Sequence, residues 1–269
     1  MKRWYSLLFA VIFVLSCALL PSPVSFAASG DSGKISNKKM GWYFVRRYNG
    51  TPPSAQQDFD FGAFGAYYLG DTNQKALYLT FDEGYENGYT EKILDVLKEK
   101  NVPAAFFVTQ TYIRDNTEIV KRMANEGHLV CNHSVRHQSF PALTNEQIVN
   151  ELNECANYYK EITNSEMPKF FRPPMGEYSA RVLDVVNKQG YKTIFWSFAY
   201  KDWEINNQPS AEEAYQKFMK DLHNGEITLL HAVSKANTEA LGRMIDKARE
   251  SGFTFYSLND LPAHSETSL

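Results

Sequence analysis

Residues 75–84 read Lys75-Ala76-Leu77-Tyr78-Leu79-Thr80-Phe81-Asp82-Glu83-Gly84. A short apolar run ends abruptly in two carboxylates and a glycine. The run has a strand's length, and the punctuation after it marks the strand's end. Downstream the same grammar recurs. Strands are expected at Ala76–Phe81, Ala104–Thr109, Leu129–Cys131, Phe170–Arg172, Thr193–Phe198, Ile227–Leu230 and Thr254–Tyr256. Helical patterns separate them. Ile93, Leu94, Val96 and Leu97 share one helix face, as do Val182, Leu183, Val185 and Val186. Thr144 with Gln147, and Ser210 with Glu213, have the spacing of capping boxes. Repeated strand–helix alternation predicts an α/β fold with a parallel sheet and helices outside.

Further upstream the character changes. Residues 40–70 hold Trp42, Tyr43, Phe44, Tyr48, Phe59, Phe61, Phe64, Tyr67 and Tyr68 without clear periodicity. Pro52 and Pro53 argue against a helix. Residues 28–70 are expected to form an arm packed on the βα domain, which would occupy 71–265. At the start, Lys2 and Arg3 precede an apolar run from Leu7 to Leu20. That run is about 14 residues, short of the ~20 of a spanning helix. Pro21, Pro23, Ser25 and Ala27 follow, so residues 1–27 read as a secretory signal peptide cleaved after Ala27. Losing Lys2 and Arg3 takes the net charge from −3 to −5. An acidic chain is a poor nucleic-acid binder. The expected protein is secreted, monomeric and not stably inserted in a membrane. Cys131 and Cys155 both sit in apolar-patterned elements and are expected as buried thiols.

In βα folds the chemistry gathers at the carboxyl ends of strands. Asp82-Glu83 ends the first strand. His133 and His137 follow the third, four apart, and would point the same way if the segment makes one helical turn. That spacing suits one metal ion. Arg172-Pro173-Pro174-Met175-Gly176 follows the fourth, Asp202-Trp203 the fifth, and Leu229-Leu230-His231 ends the sixth. Their joint occurrence on one rim points to a metal-dependent active site. His128, His223 and His264 fall elsewhere and are expected to be structural or solvent-exposed.

These five segments, in this order, resemble the motifs of the polysaccharide deacetylases with a NodB-homology domain, carbohydrate esterase family 4. Gly84-Tyr85-Glu86-Asn87-Gly88-Tyr89-Thr90, Gly41-Trp42-Tyr43-Phe44, and Leu229 to Ser234 with Asn237, Glu239, Ala240 and Leu241 resemble the branch that acts in δ-lactam synthesis in spore formers. The resemblance implies a distorted (β/α)7 barrel. It implies removal of N-acetyl groups from peptidoglycan glycan strands, at N-acetylmuramic acid stripped of its stem peptide, leading to muramic δ-lactam in the spore cortex. The place of action would be a Gram-positive cell envelope or the cortex space.

The roles implied are these. A divalent metal ion, zinc by preference, would be held by Glu83, His133 and His137. Asp82 would be the general base, paired with Arg172. His231 would be the general acid, held by Asp202. The backbone N–H of Met175 would bind the oxyanion. Trp203, Leu229 and Tyr178 would contact substrate. The family usually has Asp where Glu83 stands and is often acidic where Ala199 stands. Three rival readings differ in substrate or class: an N-acetylglucosamine deacetylase of peptidoglycan or chitin, an inactive glycan-binding homologue, and an Fe(II) oxygenase. The last normally carries closely spaced His-x-Asp on an antiparallel barrel.

Overall fold

A computed structural model describes residues 35–55 and 59–263. The expected signal peptide, His264 and the boundary at 265 lie outside the described residues. The strands are β1 (Met40–Gly41), β2 (Ala66–Tyr67), β3 (Ala76–Glu83), β4 (Ala104–Val108), β5 (Leu129–Asn132), β6 (Phe170–Phe171), β7 (Glu177–Tyr178), β8 (Lys192–Ile194), β9 (Phe198–Ala199), β10 (Glu226–His231) and β11 (Thr254–Phe255). The helices are α1 (Thr90–Lys100), α2 (Gln110–Asp115), α3 (Thr117–Asn125), α4 (Asn145–Thr163), α5 (Ala180–Lys188), α6 (Ala211–Asp221) and α7 (Lys235–Glu250). None of the described helices is long and apolar enough to cross a membrane.

The main sheet runs β2-β8-β6-β5-β4-β3-β10-β9, with β11 also on β3, and its ladders are parallel. It is a curled, distorted barrel with helices outside. The expected fifth strand is broken at Phe195–Ser197: its first half, β8, pairs with β6, and its second half, β9, pairs with β10. One segment thus joins both sides of the curl.

Both faces of the sheet are buried. Leu77, Leu79 and Phe81 point outward to Ile93, Leu94, Leu97, Leu241 and Ile245 of the helices. Tyr78 points inward to Ala105, Phe107, Cys131, Ile194 and Ile227. Each such side chain contributes about 1.5–3 kcal/mol of burial. The two expected capping boxes form, on α4 and α6. Each cap is worth about 1 kcal/mol. Cys131 and Cys155 are buried free thiols.

The aromatic segment does more than cover the domain. Its β2 is a strand of the main sheet, and β1 pairs antiparallel with β7. Trp42 stacks on Phe195 at 4.6 Å between ring centroids and donates its indole N–H to the Trp196 carbonyl at 3.1 Å. Tyr178 lies in the same cluster, fully buried, with Phe195, Phe59 and Phe61 rings 5.1–5.7 Å away. It is not open to a sugar, so the expected substrate contact at Tyr178 is corrected. Its neighbours in sequence belong to a rim loop, but β7 pairs with β1 and turns the ring inward.

Candidate active site

The parallel register brings the strand ends to one rim: His231 lies beside Asp82, and Asp82 beside Phe107. Asp82 shares the inward face of β3 with Tyr78 and Thr80. Arg172 follows β6 and is fully buried. Its guanidinium donates to Asp82 Oδ1 at 2.7 Å, to Thr80 Oγ1 at 2.8 Å and to the Ile194 carbonyl at 3.0 Å. It lies 4.1 Å from the Phe107 ring centroid. A buried ion pair is weak evidence of stability, but this fork fixes the carboxylate's orientation. Burial pushes the Asp82 pKa up; the charge of Arg172, then of His133 and His231, outweighs that and holds it below the usual carboxylate range.

The two histidines after β5 meet, with ring centroids 4.8 Å apart. They do so without the expected helical turn. Ser134 and His137 instead adopt left-handed backbone conformations, at φ 72° and 56°. The bend is held by side chains: Asn132 Oδ1 accepts the Ser134 N–H at 2.9 Å, and Ser134 Oγ accepts that of His137 at 2.9 Å. Glu151 of α4 accepts the N–H groups of Val135 and Arg136 at 2.8 and 3.2 Å.

His133 Nδ1 donates to the Arg172 carbonyl at 2.8 Å, which leaves Nε2 as a lone pair. That nitrogen lies 3.6 Å from Asp82 Oδ2, the oxygen Arg172 does not hold. Burial pulls the His133 pKa down to about 4, and it also lowers that of His137. Two neutral imidazoles, one with its free nitrogen set by a backbone carbonyl, are what a divalent ion requires.

Glu83 is not with them. It falls on the outward face of β3, in phase with Leu77, Leu79 and Phe81. It is fully buried, and neither carboxylate oxygen has a hydrogen-bond partner. Burial, then the charges of Glu86 and Asp82, pushes its pKa well above the usual range. The expectation of Glu83 as third ligand is therefore corrected: adjacent strand residues point to opposite faces. Among the described residues no group of three or more His, Cys, Asp or Glu is arranged as a metal cage.

His231 closes the site. Its Nδ1 donates to Asp202 Oδ1 at 2.7 Å and its backbone N–H to Oδ2 at 2.8 Å. Burial lowers the His231 pKa, but the Asp202 charge outweighs it and the net shift is upward. Trp203 is 47% exposed, with its ring centroid 5.5 Å from that of His231. Leu229 lies two residues before His231, on the same inward face, and is buried.

Met175 is held at φ 58°, a left-handed conformation that is strained for a residue with a side chain. The turn around it closes through the Gly176 N–H and the Pro173 carbonyl at 3.0 Å. The loop needs Gly176 at φ 65°, where a Cβ would come within 2.9 Å of the Trp196 ring. The loop after β3 is tied across the mouth of the site. Glu86 Oε1 accepts the N–H groups of Asn87, Gly88 and Tyr89. Asn87 donates to the Val233 carbonyl at 3.0 Å, and the Tyr85 hydroxyl to that of Trp203 at 3.3 Å.

The other described histidines lie away from this rim. His128 is buried, with Nδ1 3.3 Å from the Ala104 N–H. His223 is buried at the foot of β10. Sequence reasoning missed Thr80, Glu151, Tyr200 and Gln208, and attached no role to Asn237. For Thr80 a signal existed: a polar residue in phase with Asp82 on an otherwise apolar strand.

A family profile described as polysaccharide deacetylase matches residues 69–194. The peptidoglycan-N-acetylmuramic acid deacetylase PdaA of Bacillus subtilis is 40% identical over 256 residues, which is 94% of this chain and 97% of that one. The solved structure of Bacillus subtilis PdaA, described as a family 4 carbohydrate esterase, matches with a TM-score of 0.83 at 42% identity, covering 84% of this chain and 98% of that one. A family 4 carbohydrate esterase from Bacillus anthracis matches with a TM-score of 0.72 at 41% identity, covering 85% and 98%. An ordered set of strand-end motifs, a curled βα sheet that presents them on one rim, and near full-length relatives of the same kind agree: the chain belongs to the polysaccharide deacetylases of carbohydrate esterase family 4.

Proposed function

We propose that this protein removes N-acetyl groups from peptidoglycan, at N-acetylmuramic acid residues stripped of their stem peptide. The free amine left behind can close on the lactyl carboxyl to give muramic δ-lactam. The observation that carries the reading is the opposition of two acid–base pairs. Arg172 biases the Asp82 carboxyl toward its ionised form, and Asp202 biases the His231 imidazole toward its protonated form, on one rim. Amide hydrolysis needs both, one to take a proton and one to give it. The choice of sugar rests on the likeness to PdaA across nearly the whole chain.

His133 and His137 would hold a divalent ion, with zinc the natural partner of two neutral imidazoles. When bound, the ion would polarise the acetyl carbonyl and acidify water. The remaining work belongs to side chains and backbone. Asp82 takes a proton from water as the water oxygen bonds to the acetyl carbon. The Met175 N–H would donate to the developing oxyanion. His231 then protonates the amide nitrogen as the C–N bond breaks, giving acetate and the amine. Trp203 and Leu229 border the space for the acetyl methyl group. Secretion into the cell envelope fits the leader-like residues 1–27 and this substrate.

The test is mass spectrometry of glycan strands incubated with the zinc-supplied enzyme. Strands with and without stem peptides, and N-acetylglucosamine polymers, are compared. Loss of acetyl from muramic acid only, in stripped strands only, is expected. Loss from N-acetylglucosamine instead would replace the substrate, and no loss from any strand would overturn the activity.

A further inference from the structure

The Asp202 carboxylate takes a third hydrogen bond that the acid–base pairs do not explain. Asn237, 1% exposed in the first turn of α7, donates its side-chain N–H to Asp202 Oδ2 at 2.6 Å. An ionised carboxylate only accepts, so the amide must turn its nitrogen to Asp202 and its oxygen away. That oxygen accepts the hydroxyl of Tyr200, itself nearly buried. The ring of contacts closes on itself. Ser234 Oγ accepts the Asn237 backbone N–H at 3.1 Å and donates to Gln208 Oε1 at 2.5 Å. Gln208 Nε2 donates to the Asp202 carbonyl at 2.6 Å. Two loops and a helix start are thus locked around one carboxylate.

We infer that Asn237, oriented by the Tyr200 hydroxyl, is a positioning residue for the deacetylation: it fixes Asp202 and through it the direction and proton affinity of His231. The inference rests on the proposed role of His231. The physical reasoning is short. With His231 neutral, the buried Asp202 charge depends on its remaining donors. Removing the Asn237 N–H makes that charge depend more on the imidazolium, so His231 holds its proton more tightly. It becomes a weaker acid, and its ring is less well aimed. The other titratable groups facing His231 are the charged Asp82 and Arg172 and the imidazole of His137, and the substitution alters none of them.

The test uses the full chain with Asn237→Ala and Tyr200→Phe. His231 titration is followed by proton NMR, and turnover is measured on a glycan amide and on 4-nitrophenyl acetate, whose leaving group needs no proton. For Asn237→Ala the His231 pKa should rise. Amide kcat should fall about tenfold to a hundredfold, with KM changed less than about threefold and ester turnover largely kept. Tyr200→Phe should move each readout the same way by less, and it carries the test if Asn237→Ala does not fold. An unmoved His231 titration, or equal loss on amide and ester, would overturn the inference. His231→Gln separates the parent reading: if it too loses amide and ester turnover equally, the general-acid role itself fails.

Discussion

Strand β10 carries an imidazole–carboxylate pair at each end, and the two behave oppositely. At the rim, His231 bonds to Asp202, and its side chain is 22% exposed. At the foot, Glu226 lies 3.2 Å from His223 Nδ1, with both side chains buried to within 2%. His223 Nδ1 donates to the Asp221 carbonyl at 2.7 Å, Glu226 Oε2 accepts the His223 backbone N–H at 3.2 Å, and His223 Nε2 is 2.9 Å from Ser197 Oγ, so the ring is tied to its neighbours without donating to the carboxylate. Burial lowers the His223 pKa and pushes that of Glu226 well above the usual range. The charged form is favoured in the rim imidazole and disfavoured in both groups at the foot. The difference lies in the donors. Asp202 takes three hydrogen bonds, two of them from N–H groups independent of the ring, whereas Glu226 Oε1 has no partner. A carboxylate–histidine contact becomes an acid–base device only when surrounding N–H groups sustain the charge and a path to substrate exists.

The largest effect expected at the rim is that of Asp82→Asn, which keeps shape and removes the base. Deacetylation should fall by about 10²–10⁴-fold, with the thermal midpoint near that of the wild type. Turnover near the wild-type rate would break the rim half of the comparison. The pH profile comes next. The acid limb of kcat/KM should lie below ~3.9, because Asp82 is depressed, and the basic limb above ~6.5, because His231 is raised. Stability follows the same signs. The Asp82 contribution is present above ~3.9 and fades as pH falls through its folded value. That of His231 is complete below ~6.5 and fades as pH rises through its own. A basic limb at or below ~6.5 would place the rim imidazole with the foot one.

Metal content sharpens the comparison within the rim. Elemental analysis should show the ion lost from His133→Ala and retained by Glu83→Gln. Loss of metal in Glu83→Gln would return that residue to the ligand set. The smallest effect belongs to the foot. Glu226→Gln replaces a group whose charged form burial disfavours, so kcat should stay within about twofold and stability within about 1 kcal/mol. A drop in kcat of tenfold or more would mean that the two ends of β10 are not separate.

The strand ends were legible because apolar runs stop where polar residues begin, and parallel strands deliver those stops to one rim. Glu83 was misplaced for a reason the sequence also held. Counting from Leu77 by twos reaches Glu83, and from Tyr78 by twos reaches Asp82. Both faces of the sheet are apolar, so the alternation leaves no contrast to read. His133 and His137 met for a different reason than expected, because a bend pinned by Asn132, Ser134 and Glu151 replaced the helical turn. Glu151 lies mid-helix, and nothing in local pattern marks an inward carboxylate there. Asn237 and Tyr200 act across 35 and 37 residues of chain, beyond the reach of any local signal. Tyr178 was legible as aromatic but not as buried, since its burial depends on β1 arriving from far upstream.

That distant arrival bears on how the molecule assembles. Trp42 donates to the carbonyl of a residue 154 positions later, and β1 and β2 pair with β7 and β8 across similar spans. A chain emerging amino end first therefore exposes its aromatic segment before any of those partners exist. The central strands β3, β4 and β5 can pair across short loops in the meantime. The earliest-made strand of the sheet thus waits for a partner that is made only after β3, β4, β5 and β6. Folding is paced by a long-range closure, and the ring cluster stays open to wrong partners until β8 has formed.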